Sequence, residues 1–138
     1  LEVDLAATPV LCWRWRIDAP LVGADLATKA GDDYAARVYV SLALPPERLG
    51  FAERAKLRLA RALWGPELPD AALNYVWDNR HPVGTVRPNA YTDRTRMHVQ
   101  RSGAADAGRR VQLRRDVARD AAAFGERVRP VQIPAPAD

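Results

Sequence analysis

The side chains best suited to chemistry in this sequence are carboxylates and guanidinium groups on strand-like segments. Asp32 and Asp33 precede an alternating run that contains Arg37, and Arg14 and Arg16 are interleaved with tryptophans. Adjacent carboxylates can coordinate calcium or act as acid and base, whereas arginine offers a planar fork of donors to a polar ligand. An aspartate beside a strand also often caps backbone N–H groups. The pattern therefore indicates recognition of a polar group more strongly than a reaction.

A single polar sheet face is the predicted location of these groups. If Trp13, Trp15 and Trp77 point into the core, the alternating positions emerge on the opposite surface, where Tyr39 adds a flat ring. A sugar, an organic acid or a polar peptide needs such groups. The alternative is a solvated face of cross-strand Arg–Asp pairs, each worth under ~1 kcal/mol. The candidate ligand-binding residues are Arg14, Arg16, Asp32, Asp33, Arg37, Asn74, Asp78 and Tyr91.

Nucleophilic, metal and cofactor chemistry find little support in the residue types. Cys12 is the only cysteine, which excludes an internal disulfide, and two histidines cannot complete a clustered Cys/His zinc site. The sequence contains no P-loop, GxGxxG, GxSxG or HExxH motif. His98 is expected as a cross-strand surface residue, because no marked Ser or Cys nucleophile accompanies it. We expect no cofactor and no bound metal, with a carboxylate calcium site left open.

The size and charge of the chain fit one globular domain spanning residues 1–138. A chain of 138 residues buries roughly two-thirds of its unfolded surface in one core. The net charge of +4 is spread along the sequence, so no nucleic-acid partner is expected, although WRWR is similar to a stacking platform. No apolar run reaches the roughly 20 residues that a membrane-spanning helix needs.

The elements that must position the candidate residues are short strands joined by long loops. Because these strands do not alternate regularly with helices, we predict a mainly β (α+β) fold, an antiparallel β-sandwich or jelly roll. Period-2 alternation predicts strands at residues 10–17, 33–42, 72–79, 95–103 and 111–117, with shorter ones at 84–87 and 128–133.

Two helices are predicted beside the strands. An amphipathic helix is expected from Pro46 to Trp64, stopped by Gly65, with arginines in water. A short C-terminal helix is expected after Asp116, which is placed to cap it. The predicted core stripes are Leu49, Ala52, Leu59 and Leu63 on the first helix, and Val117, Ala121 and Phe124 on the second.

The order of five motifs resembles a known family. WRWRID, GDDYAARVYV, ALNYVWDN, VGTVRPNAYTDR and RDVARDAAAFGE, from about Pro9 to Glu126, look like the bacterial domain of unknown function 3047 family. The resemblance implies a galactose-binding-like β-sandwich and export to the periplasm or cell exterior, and it implies no activity. By position, the family's recurrent polar and aromatic residues correspond to Trp13, Trp15, Asp32, Asp33, Arg37, Tyr75, Trp77, Tyr91 and Thr92.

The two ends of the chain depart from the family pattern. The usual N-terminal strands are missing before Leu1, and VRPVQIPAPAD stands where an acidic segment is usual. We therefore expect a fragment of a longer protein. The loss of the acidic segment would remove any ligand or ion site that the segment carries.

The function predicted from these observations is an exported, non-enzymatic binding module for a glycan or another polar ligand. Two alternatives stay open. One is a glycan-acting hydrolase or lyase that uses Asp32, Asp33 or Asp78 as acid and base, although neighbouring residues of an extended chain point to opposite sides. The other is a structural protein of the cell envelope without a small ligand, for which an exposed apolar patch is expected.

Overall fold

The computed structural model describes residues 1–43, 50–122 and 131–132, which form two β-sheets and two helices. Among these residues neither helix has the length and apolar character needed to span a bilayer. The strands are β1 (Glu2–Val3), β2 (Val10–Trp15), β3 (Arg37–Leu42), β4 (Ala71–Asp78), β5 (Val86–Pro88), β6 (Thr95–Ser102), β7 (Val111–Asp116) and β8 (Val131–Gln132), and the helices are α1 (Phe51–Trp64) and α2 (Val117–Ala121).

The larger sheet has six strands in the order β1-β8-β3-β4-β6-β5, and β2 pairs with β7 in a separate ribbon. The predicted mainly β, sandwich-like class is confirmed. One pairing departs from the antiparallel expectation, because β4 and β6 run parallel. Parallel neighbours need a connection of a dozen or more residues, and residues 79–94 supply one that includes β5.

The core between the two sheets is rich in aromatic rings. The ring centroid of Trp13 lies 5.3 Å from that of Tyr75, and Trp15 lies 6.0 Å from Trp77. Tyr75 and Trp77 are buried on β4, and the Trp77 Nε1–H donates to the Gly103 carbonyl at 2.9 Å. The prediction that these rings face the core is confirmed. The inner faces of β2 and β4 therefore define the inside of the sandwich.

The outer face of the larger sheet is covered by the loop of residues 18–36, although the sequence predicts an open polar face. Every residue of β4 is buried as a result. This loop has no regular alternation, so its apolar residues gave no sign of a second core layer. The buried cluster between loop and sheet contains Ala24, Leu26, Tyr34, Val76, Met97 and Val99.

Gly31 allows this covering loop to close on itself. The Asp25 N–H donates to the Gly31 carbonyl at 2.9 Å, and the Gly31 N–H donates to Thr28 Oγ1 at 3.0 Å. A Cβ at position 31 would lie 2.7 Å from both the Asp25 Cβ and Thr28 Oγ1. Only glycine fits this close approach without a shift of the turn.

Helix α1 turns a different side to the protein than its sequence predicts. Ala52, Leu59 and Leu63 are exposed, so the predicted core stripe is wrong, and Leu57 is buried instead. Leu49 lies outside the described residues. The predicted stop is confirmed, because Gly65 has a φ of 112° and its N–H donates to the Arg61 carbonyl at 2.9 Å.

Ion pairs explain the orientation of α1. Arg61 Nη2 lies 2.6 Å from Asp70 Oδ1, and its Nε donates to the Leu68 carbonyl at 3.1 Å. Glu53 Oε2 lies 3.5 Å from Arg94 Nη1. These contacts tie the charged side of the helix to the sheet, which leaves the alanine and leucine side facing water.

Helix α2 begins as predicted at its aspartate cap. Asp116 Oδ1 accepts from the Arg119 N–H at 3.0 Å, and Val117 and Ala121 are buried. The remaining predicted stripe residue, Phe124, lies outside the described residues.

Candidate ligand-binding cleft

The predicted polar face is divided between the two outer surfaces of the sandwich. Arg14 lies between two tryptophans on β2 and Arg16 directly follows this strand, whereas Arg37 and Asn74 lie on the larger sheet. Since the tryptophans of β2 meet the rings of β4 between the sheets, the alternating residues point outward in opposite directions. The prediction of one common face is therefore wrong. Alternation distinguishes inside from outside, but it does not say which sheet a strand joins.

The predicted position of Asp33 on the second strand is wrong, because β3 begins at Arg37 and both Asp32 and Asp33 lie before it in the covering loop. Asp33 is exposed, and its Oδ1 accepts from the Tyr34 N–H at 3.0 Å. Asp32 Oδ1 accepts from Asn89 Nδ2 at 3.0 Å, while Arg37 Nη2 donates to the Asp32 carbonyl at 3.1 Å. These contacts anchor the covering loop, which is the capping role that the sequence left open.

Asn74 and Asp78 are fully buried under the covering loop, so a bulky ligand has no direct access to them. Asn74 Oδ1 and Asp78 Oδ1 have no hydrogen-bond partner among the described residues. Asp78 Oδ2 accepts from the His81 backbone N–H at 2.8 Å and contacts His81 Nδ1 at 2.9 Å. Arg87 Nη1 lies 3.1 Å from His81 Nε2. Because a guanidinium only donates, Nε2 accepts and His81 gives its Nδ1 proton to Asp78.

A cleft of about 410 Å³ opens where α1 approaches the first residues of β4 and β6. We call it the aromatic cleft, because three rings from different elements line it together with charged and hydroxyl side chains. Of the predicted candidates it contains Tyr91. Its aromatic and charged lining residues are Tyr39, Trp64, Tyr91, Lys56, Asp93 and Arg94.

Tyr39 is the ring that the sheet itself supplies to the aromatic cleft. It alternates with the core residues Val38 and Val40 on β3, so its side chain faces outward, and its cross-strand partner is Asn74. Burial raises the pKa of the Tyr39 phenol above its ordinary value. The hydroxyl is therefore protonated at neutral pH and available as a donor.

Tyr91 is held in place on the opposite wall. Its N–H donates to Asn89 Oδ1 at 2.9 Å, and its hydroxyl donates to the Lys29 carbonyl at 3.2 Å. The Lys29 ammonium lies 5.4 Å from the centre of the Tyr91 ring. Although the side chain is 62% exposed, these contacts fix its orientation.

The charged side chains of the aromatic cleft differ in their freedom. Arg94 Nε donates to the Asp70 carbonyl at 2.5 Å, and its Nη1 also lies beside Glu53, so this side chain is restrained. Trp64 sits at the end of α1 and is 76% exposed, which leaves most of its ring surface open to a ligand. The cleft thus combines a fixed guanidinium with an open indole.

Sequence patterns missed most of this cleft. The family resemblance indicates Tyr91, and alternation along the predicted strand indicates Tyr39 as a flat surface. Trp64, Lys56 and Arg94 were not predicted, because their positions depend on the side that α1 turns to the sheet. A tryptophan directly before the helix-ending Gly65 was the one available signal.

A second polar network lies in the core and not at the surface. The Tyr75 hydroxyl donates to Asp120 Oδ2 at 2.7 Å, and Arg115 donates to both Asp120 oxygens at 2.9 and 2.6 Å. His98 is 5% exposed, with its ring centroid 5.5 Å from that of Tyr75. The prediction of a surface position for His98 is therefore wrong. Burial lowers its pKa, so the ring is neutral near pH 7.

Comparison with known proteins identifies the family. A family model described as "Protein of unknown function (DUF3047)" matches residues 1–135, a wider span than the motifs alone suggested. No curated protein and no solved structure shows significant similarity to the chain. Within the described residues, no group of three or more Asp, Glu, His or Cys side chains is arranged to hold a metal. The predicted resemblance is confirmed, and the chain belongs to the DUF3047 family of proteins of unknown function.

Proposed function

We propose that this domain is a non-enzymatic binding module that holds a polar, ring-bearing ligand such as a short glycan in the aromatic cleft. The observation that carries the proposal is the meeting of Tyr39, Trp64 and Tyr91 with charged side chains in one cavity of about 410 Å³. Cavities of roughly 300–1,000 Å³ with a few convergent polar groups are typical of small-ligand sites. Aromatic rings cover the apolar face of a sugar, and charged groups bond its hydroxyls.

The cleft is organised before any ligand arrives, which favours binding. Tyr91 and Arg94 are already fixed by hydrogen bonds to backbone and side-chain groups of neighbouring segments. Fixing these side chains in advance reduces the conformational entropy that binding would otherwise cost. Trp64 and Lys56 remain adjustable and can close over ligands of slightly different shape.

Binding is favoured over glycan hydrolysis by the distribution of carboxylates. Asp93 is the only acidic side chain among the described residues that line the aromatic cleft. A glycosidase needs two carboxyl groups roughly 5 to 10 Å apart across the bond to be cleaved. Asp32, Asp33 and Asp78, the residues considered for that role, do not line the cleft, and Asp78 is completely buried.

A glycan array followed by calorimetry on the best ligand tests the proposal. Trp64→Ala and Tyr91→Ala should each weaken binding roughly tenfold, because each removes a stacking surface from the cleft. Phe51→Ala is the matched control, since Phe51 is another exposed ring on α1 and does not line the cleft. Equal affinity of all four proteins for the ligand would overturn the assignment of the site.

The structural-protein alternative has one observation in its favour, the exposed apolar side of α1. Phe51 is 90% exposed, and Leu59 and Leu63 are also exposed. The array separates the alternatives, because a structural protein binds no glycan in a manner that depends on Trp64 and Tyr91.

We also propose that the module acts in the periplasm or outside the cell, as the family resemblance implies. Fractionation of bacterial cells that naturally produce this protein, followed by its detection in each fraction, tests this location. Recovery of the protein only from the cytoplasm would contradict it.

A further inference from the structure

The outer surface of the β2–β7 ribbon carries a concentration of arginine that the aromatic cleft does not use. Arg14 lies on β2, Arg16 directly follows β2, Arg114 projects from β7, and Arg110 directly precedes β7. All four residues are exposed. A two-stranded ribbon therefore presents four guanidinium groups to solvent on the side of the molecule opposite the covering loop.

The strand register places these charges close together without intervening acids. Arg14 is paired with Gln112, and Trp15 is paired with Val111, so the next pair outward brings Arg16 beside Arg110. Like charges directly opposite each other destabilise a pair of strands. The nearest carboxylate, Asp18, lies 3.6 Å from Arg16 but is 94% exposed, so its compensation is weak.

Several arginines elsewhere in the molecule are paired with acids. Arg61 contacts Asp70, and Arg115 contacts Asp120. Arg14 and Arg110, by contrast, make no hydrogen bond and no ion pair with any residue in the described ranges. Their donors are therefore free to bind a group from outside the protein.

A surface pocket of about 310 Å³ lies among these side chains. It is lined by Arg14, Trp15, Arg16 and Arg110, and none of these described lining residues is acidic. The pocket accommodates a tetrahedral anion together with some of its hydration water. Three guanidinium forks around one anion can form charge-assisted, bidentate hydrogen bonds.

We propose that this pocket binds a phosphate or sulfate group through Arg14, Arg16 and Arg110. The bound anion relieves the repulsion among the three cations, which is why the ribbon tolerates their proximity. Free phosphate, a phospholipid headgroup and a sulfated sugar all offer this chemistry. The site is separate from the aromatic cleft, so it stands or falls independently of the proposed glycan binding.

Titration of the ¹⁵N-labelled domain with sodium phosphate at constant ionic strength, with chloride as reference, tests the pocket. We expect saturable shifts of the side-chain signals of Arg14 and Arg110. The double variant Arg14→Gln/Arg110→Gln should weaken binding roughly tenfold, because two charged donors are lost. Arg109→Gln is the matched control, because Arg109 is adjacent in sequence but pairs with Asp106.

Two further titrations identify the source of the anion. One uses vesicles of phosphatidylcholine and phosphatidylglycerol, and the other uses a sulfated heparin disaccharide. Binding of any of the three probes that the double variant loses and Arg109→Gln keeps supports the pocket, and the tightest probe names the source. Equal loss in both variants, or shifts that chloride reproduces, would overturn it. Thermal melts of each variant confirm that the fold is retained.

Discussion

Two buried aspartates, Asp120 in the core and Asp78 under the covering loop, differ in how completely hydrogen bonds compensate their buried charge. Both oxygens of Asp120 are occupied, by Arg115 and the Tyr75 hydroxyl. Asp78 concentrates its contacts on Oδ2, while Oδ1 has no partner among the described residues. A buried carboxylate is stabilising only when it is paired and fully hydrogen-bonded. The difference indicates that Asp120 supports the fold, whereas Asp78 contributes much less to stability.

The largest expected effect follows from removing the charge of Asp120. Asp120→Asn leaves Arg115 without its carboxylate and should lower the free energy of unfolding by about 2 to 3 kcal/mol, toward the low end for a buried pair because Arg115 is 35% exposed. Urea denaturation measures the change. Asp33→Asn is the control, because Asp33 is exposed, and it should leave the midpoint unchanged. Similar urea midpoints for both variants would show that Asp120 does not stabilise the fold in this way.

Acid should destabilise the domain in two stages through the same core network. Burial lowers the pKa of His98 below its ordinary 6.5, so the unfolded chain binds a proton first and stability falls as the pH drops through that value. Burial acts to raise the pKa of Asp120, but hydrogen bonds from Arg115 and Tyr75 outweigh it and leave the pKa below 3.8. A second loss therefore begins as the pH approaches 3.8.

Melting temperatures measured from pH 7.5 to pH 3 test this sequence of events. His98→Gln should flatten the first stage and leave the second in place, because only the histidine titrates near neutrality. A wild-type melting temperature that rises between pH 7 and pH 5 would contradict the buried neutral state of His98.

A smaller effect is expected from the same substitution at the other aspartate. Asp78→Asn keeps an acceptor for the His81 N–H and removes a buried charge that no guanidinium neutralises directly. The loss in unfolding free energy should be about 1 kcal/mol, since weaker hydrogen bonds are offset by the charge that no longer needs burial. Parallel urea denaturation of Asp78→Asn and Asp120→Asn compares the two losses in unfolding free energy. A larger loss at position 78 would reverse the comparison.

The sequence predicted the inner half of this molecule far better than the outer half. Alternation assigned Trp13, Trp15 and Trp77 to the core, and Asp116 and Gly65 marked helix boundaries, because each signal depends on local spacing. The pairing of β2 with β7 depends on contacts distant in the chain. Without that pairing, Arg14 and Arg37 appeared to share a face, although they point to opposite sides of the sandwich.

Two further misassignments have the same physical origin. The loop of residues 18–36 covers Asn74 and Asp78, and no local pattern shows that an irregular segment packs on a particular sheet face. Helix α1 buries Leu57 in the core cluster instead of its leucine and alanine stripe, and ion pairs with Asp70 and Arg94 hold its charged side against the sheet. Which candidate residues are buried, and whether a ligand can reach them, therefore could not be predicted without the tertiary structure.

The smallest effects expected from the comparison of core and covering loop concern the two buried tyrosines, Tyr75 and Tyr34. The Tyr75 hydroxyl donates a short hydrogen bond to Asp120, whereas the buried Tyr34 hydroxyl interacts with the Asp32 carboxylate without reaching the geometry of a full hydrogen bond. Burial, and then the nearby charge of Asp32, raises the pKa of Tyr34, so the group stays neutral. Tyr75→Phe should cost about 1 to 2 kcal/mol, because Asp120 Oδ2 loses one of its two donors and keeps only the Arg115 Nε–H.

Tyr34→Phe removes a hydroxyl whose contact with Asp32 is weaker than a full hydrogen bond, and it keeps the ring that packs on Val76 and Arg37. Its unfolding free energy should therefore change by less than about 0.5 kcal/mol or rise slightly, since burying a poorly bonded hydroxyl is itself unfavourable. Urea denaturation of the two Phe variants side by side measures the difference. An equal loss of unfolding free energy at positions 34 and 75 would mean that the Tyr34 hydroxyl makes a full hydrogen bond in solution. The buried polar groups under the covering loop would then be as completely hydrogen-bonded as those of the core.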